Sequence, residues 1–137
     1  MKSYVIDACA LIAYFHNEQG ALNVAEIFRQ VADEKAIIFI HKVNLLEVYY
    51  DTIKRKNERF AKVIFDKICQ KPVKVISDIS DSLLFEAGRL KASYKISIAD
   101  SIALATAFIY ESELVTCDHH ELDEIESKEN IKFLWIR

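Results

Sequence analysis

The chain has 137 residues, a net charge of −3 and an apolar share of 52%, which suits one domain with a filled core. Two Gly and one Pro leave little room for linkers or Gly-rich phosphate loops. No apolar run reaches the roughly 18 residues of a membrane span, and the opening Met1-Lys2-Ser3-Tyr4-Val5-Ile6-Asp7 meets a carboxylate too early for a signal peptide.

In chain order, Tyr4-Val5-Ile6 is a short buried strand, and Ala8 to about Phe15 is a helix. A second helix runs from about Gly20 to Glu34, with Leu22, Ala25, Ile27, Phe28 and Val31 near helical spacing. Ala36 to Ile40 is a second strand. Val43 to about Asn57 and Glu58 to about Gln70 form two helices or one broken helix, and Pro72 ends the region. Val73 to Ile76 is a third strand. Helices follow from Asp81 to about Tyr94 and from about Ile98 to Tyr110. Leu114-Val115-Thr116 is a fourth strand, Asp118 to about Ser127 a short helix, and Ile131 to Ile136 a last strand.

This alternation predicts an α/β fold with a mainly parallel sheet, spanning residues 1–137 as a single domain. Such sheets carry their sites at the carboxyl ends of the strands. Two acids stand there: Asp7 after the first strand and Asp118 after the fourth. Two more lie near helix starts, Glu47 among large apolar neighbours and Asp100 behind Ser97. Each has an ordinary alternative. Asp7 can cap a helix, Glu47 can be a partly exposed surface residue, and Ser97-x-x-Asp100 and Asp118-x-x-Glu121 resemble capping boxes. Converging together, the four would repel one another unless a hard divalent cation such as Mg²⁺ or Mn²⁺ relieved them.

Other signals are weaker. Lys54, Arg55, Lys56, Arg59 and Lys62 form the only dense basic stretch, a solvated helix face or an RNA-contacting edge. The acidic balance counts mildly against a general nucleic-acid binder, less so once the four acids are assigned to cations. Cys9, Cys69 and Cys117 are odd in number and scattered, which predicts reduced thiols in a cytoplasmic protein. His119 and His120 are adjacent, a spacing that suits neither a helix-face metal pair nor a zinc finger.

Four segments resemble, in order, the motifs of the PIN-domain nucleases, and most closely the VapC-type toxins of prokaryotic toxin–antitoxin pairs. They are Tyr4 to Ile12 around Asp7, Asn44 to Val48 around Glu47, Ile98 to Ala107 around Asp100, and Leu114 to Asp118. The resemblance covers essentially the whole chain. It implies a three-layer α/β/α sandwich around a parallel sheet of four or five strands, and Mg²⁺- or Mn²⁺-dependent endoribonuclease activity that leaves a 3′-hydroxyl. It makes Asp7, Glu47, Asp100 and Asp118 both catalytic and metal-binding, with Thr116 supporting Asp118 or a water. It also implies a small antitoxin partner and a homodimer. Cys9 departs from the family's usual Ser or Thr two residues after the first Asp. A PIN nuclease of RNA processing without an antitoxin, or a non-catalytic PIN-like module binding RNA or protein, would share the same pattern.

Overall fold

The computed structural model describes residues 1–137. Five strands form one sheet: β1 (Lys2–Ile6), β2 (Ala36–His41), β3 (Lys74–Ile76), β4 (Glu113–Thr116) and β5 (Phe133–Trp135). Their spatial order is β3-β2-β1-β4-β5, and every pairing is parallel. Seven helices connect and cover them: α1 (Ala8–Phe15), α2 (Ala21–Ala32), α3 (Lys42–Arg55), α4 (Glu58–Gln70), α5 (Asp81–Ser93), α6 (Ile98–Ile109) and α7 (His119–Lys128). No helix is long and apolar enough to cross a membrane.

The strand β1 lies at the centre, and its side chains alternate between two cores. Tyr4 and Ile6 join Ile38, Ile40 and Val115 under α1, α2, α3 and α4. Val5 and Leu114 join Leu90, Leu104 and Ile125 under α5, α6 and α7. Burial on both faces explains why Tyr4-Val5-Ile6 is an unbroken apolar run rather than an alternating one. Each such Ile or Leu contributes about 1.5–3 kcal/mol, a reservoir large enough to tolerate some buried charge at the sheet edge.

The chain leaves β1 toward β2 and β3, then returns to the other side of β1 for β4 and β5. The order therefore reverses between β1 and β4, and the crevice beyond their carboxyl ends is where such sheets bind ligands. The β1–β4 register sets Ile6 beside Val115, and the Asp7 amide donates to the Val115 carbonyl at 3.2 Å. The acid-bearing ends of both strands are thus fixed relative to each other.

Boundaries differ from the sequence reading in small ways. The basic stretch does break the helix: α3 ends at Arg55, and the Asn57 side chain starts α4 by accepting from the Phe60 amide. The last strand is only Phe133–Trp135. Beyond it, Ile136 packs so tightly on Gly20 that a Cβ there would sit 2.8 Å from Ile136 Cδ1, and Gly20 has φ +98°. Asn23 Nδ2 donates to the Ile136 carbonyl at 3.0 Å, and Arg137 Nη1 to the Gln19 carbonyl at 3.1 Å. The segment after β5 is held against the α1–α2 link in this way.

One expectation is overturned. Cys9 and Cys117 are not separate thiols but a disulfide, with S–S 2.04 Å and Cα–Cα 6.0 Å. Only Cys69 is free, and it is exposed. Cys9 sits in the first turn after β1 and Cys117 directly after β4, so pairing these strands brings the two sulfurs into range.

Candidate active site

Asp7 is buried, and its two oxygens have different fates. Oδ1 caps α1 by accepting from the Ala10 amide at 2.9 Å. Oδ2 is buried without a hydrogen-bond partner. The capping and functional readings of Asp7 therefore hold together, one oxygen each. Burial pushes its carboxyl up to about 7, partly offset by the Thr116 hydroxyl and the Ala10 amide, with the Glu47 and Asp118 charges adding to the rise.

Asp118 follows the same plan at the end of β4. Its Oδ1 caps α7 by accepting from the Glu121 amide at 3.3 Å. Its own amide donates to the Thr116 hydroxyl at 3.3 Å. Thr116 is fully buried and lies between the two strand-end acids, touching the backbone of one and easing the charge of the other.

Asp100 lies in the first turn of α6, which Ser97 caps through the Asp100 amide at 3.0 Å. The carboxyl is pushed up to about 9, first by burial and then by Glu121, with the charges of Asp7 and Asp118 adding to the rise. Glu47, on α3, is half-buried. Its carboxyl is raised by burial and by the charges of Asp51, Glu121 and Asp118. Asp7, Asp100 and Asp118 thus bear on one another's charge, as do Glu47 and Asp118.

A fifth acid stands among them. Carboxylate oxygens of Asp100, Asp118 and Glu121 lie within 4.8 Å of one another, an arrangement able to hold a metal ion. Glu121 Oε2 is buried without a partner. The sequence reading treated Glu121 only as half of a capping box. In the structure that box is half made: the Glu121 amide is capped by Asp118, but the Asp118 amide is taken by Thr116. The Glu121 side chain is released toward Asp100.

The support on the α3 side is Asn44. It is buried, and its Oδ1 accepts from the Ala8 amide at 3.3 Å, tying α3 to the residue after Asp7. Asp123 is taken up by His119 Nδ1 at 2.7 Å.

The basic stretch is divided. Arg55 is committed to Glu18 at 2.7 Å and Asp51 at 2.8 Å. Lys54 lies over the Tyr50 ring, 6.0 Å from its centroid. Lys56 and Arg59 are exposed. A cavity of about 770 Å³ lies at the opposite edge of the sheet beside Met1, Ser3, Glu113 and Lys132, and includes none of the five acids.

With this fold and this cluster of acids in view, the class is that of an α/β/α protein with an acidic site at the carboxyl edge of its sheet. The PIN domain model matches residues 4–128; the chain belongs to the PIN domain family. No curated protein sequence matches it significantly. Solved structures share its fold. VapBC2 from Rickettsia felis, bound to a DNA fragment from their promoter, matches with a TM-score of 0.72 at 18% identity, covering 96% of this chain and 97% of that one. DNA-bound VapBC from Salmonella typhimurium matches with a TM-score of 0.72 at 14% identity over 100% of both chains. VapC20 of Mycobacterium tuberculosis, described as a Sarcin-Ricin loop cleaving toxin, matches with a TM-score of 0.67 at 14% identity, covering 85% of this chain and 90% of that one.

Proposed function

We propose that the chain is a single-domain, metal-dependent endoribonuclease and the toxin of a toxin–antitoxin pair. The observation that carries this reading is the cluster of acids with two buried, unpartnered oxygens, Asp7 Oδ2 and Glu121 Oε2. An unpaired buried carboxylate oxygen is costly, and a cation is its natural counterpart. All the donors are hard oxygens, which fits Mg²⁺ or Mn²⁺ rather than a thiophilic metal.

Asp7, Asp100, Asp118 and Glu121 would hold such an ion, with Glu47 on the α3 side. When bound, the ion supplies positive charge to the phosphodiester and makes a water nucleophilic at neutral pH. The chain's own groups do the rest. The caps on α1 and α7 fix one oxygen each of Asp7 and Asp118, so the other is aimed rather than free to rotate. Thr116 holds the β4 end of the site in register. Lys54, Lys56 and Arg59 offer exposed charge to the RNA backbone, while Arg55 acts through its ion pairs with Glu18 and Asp51.

The antitoxin reading is supported by the structural similarity to the VapBC assemblies, and the RNA reading by the Sarcin-Ricin loop cleaving toxin. Exposed Leu46, Tyr50 and Phe60 on α3 and α4 offer apolar surface to an antitoxin, and Leu84 and Phe85 on α5 to a second copy of the chain. An RNA substrate places the action in the cytoplasm, where reductants would act on the Cys9–Cys117 pair.

Asp7→Asn tests the reading, because Asn keeps the helix cap and removes only the charge. The variant is expected to fold, to lose Mn²⁺-dependent cleavage of total RNA, and to lose growth inhibition. Full activity in the variant would sink the proposal.

A further inference from the structure

Beside the acids lies a column of aromatic rings that the metal chemistry does not use. Phe133 and Trp135 project from the same side of β5, with ring centroids 5.3 Å apart and planes 22° from parallel. His119 lies on Trp135 at 3.8 Å and 13°. The column therefore ends on an imidazole, and that imidazole belongs to the residue immediately after Asp118.

The His119 ring is pinned. Its Nδ1 bonds Asp123 Oδ1 at 2.7 Å, and its Nε2 bonds the Arg137 carbonyl at 2.7 Å. Trp135 Nε1 is held in turn by Glu126 at 3.1 Å. With both nitrogens engaged, the imidazole has no free edge to ligate a metal or to move a proton. Trp135 covers one face. Yet the side chain remains 47% exposed. What His119 presents outward is the second face of a fixed, flat ring.

We infer that His119, backed by Trp135, is a stacking platform for one unpaired nucleobase of the RNA, seated next to the phosphate that is cleaved at the acid cluster. The inference rests on the RNA-cleavage reading above. Flat aromatic faces bind bases whatever their identity, because every base has a π-face. Bases splayed out of a single-stranded loop are the ones able to reach it, whereas those within a duplex are already stacked. His119 directly follows Asp118, so the platform and the Asp100–Asp118–Glu121 cluster belong to the same strand end. The platform thus selects single-stranded RNA and sets the distance from the bound base to the cut.

The experiment uses the non-cleaving Asp7→Asn chain and short single-stranded oligoribonucleotides carrying 2-aminopurine at successive positions. Stacking quenches this base, so one position is expected to darken on binding. In the same background, His119→Ala should restore its fluorescence and weaken binding by roughly 5- to 150-fold, the range for loss of one base–aromatic stack. His119→Phe, which keeps the face and loses both hydrogen bonds, should retain the quenching. Thermal melting of each variant separates loss of the platform from loss of the fold. If the parent binds RNA but no position is quenched, or if a folded His119→Ala variant binds and quenches as the parent does, the platform is refuted. Equal affinity for a fully paired duplex refutes it too. If wild-type protein neither binds nor cleaves any RNA, the underlying ribonuclease reading has failed instead.

Discussion

Asp7 and Glu121 show how a single residue's environment decides where its carboxylate lies. Asp7 was legible in the sequence because a carboxylate straight after a buried β-branched run has few places to go but the sheet edge. Glu121 was not, because Asp118-x-x-Glu121 is also how helices start, and the pattern does not say which way the glutamate turns. The deciding detail is the Thr116 hydroxyl, which takes the Asp118 amide that Glu121 would otherwise bond. Glu121→Gln should therefore behave as a site variant and not as a cap variant. The Asp118 oxygen still caps the backbone amide of residue 121, so helix stability should hold. Mn²⁺ affinity measured by calorimetry is expected to fall at least about tenfold, as when carboxylates around a metal are removed. Unchanged Mn²⁺ affinity would leave Glu121 outside the site.

At the scale of elements, the strands and helices were readable because their periodicities differ, and a sheet buried on both faces writes itself as continuous apolar runs. The strand order was not readable from periodicity, since it depends on which side of β1 the chain returns to. The cysteine pair is hidden in the sequence for a related reason. Cys9 and Cys117 are 108 residues apart, yet each adjoins an acid expected to converge with the other. Taking that convergence at face value would have brought the two sulfurs together as well. Asn44 is the element-scale counterpart of Thr116: it joins α3 to the start of α1 across 36 residues of chain. Asn44→Ala leaves the buried Ala8 amide without an acceptor and is expected to cost about 1–3 kcal/mol, read as a lower urea midpoint. A variant as stable as the parent would show that water takes over the bond.

For the whole molecule, the acid cluster makes its own contribution to the pH dependence of stability. Asp7 and Asp100 have carboxyls raised from 3.8 to about 7 and about 9. Between those limits the folded state binds more protons than the unfolded state, so stability falls as pH rises. The contribution is complete below 3.8 and is lost as pH climbs through about 7 and then about 9. In chelator, the urea midpoint should be higher near about pH 5.5 than near about pH 8.5, and Mn²⁺ should restore it at the alkaline end by binding only the folded form. A chelated protein that gains stability over the same interval would contradict the buried-acid picture. The Cys9–Cys117 bond has a different consequence for the molecule. It turns nearly the whole backbone into a closed ring with two short tails, and the ring includes every loop from the end of α1 to the start of β4. A protease that cuts once in any of those loops opens the ring without dividing it. The nicked chain should run as one species on a non-reducing gel and separate into two only after a reductant is added. A fragment released without reductant would show that the ring is not closed in solution.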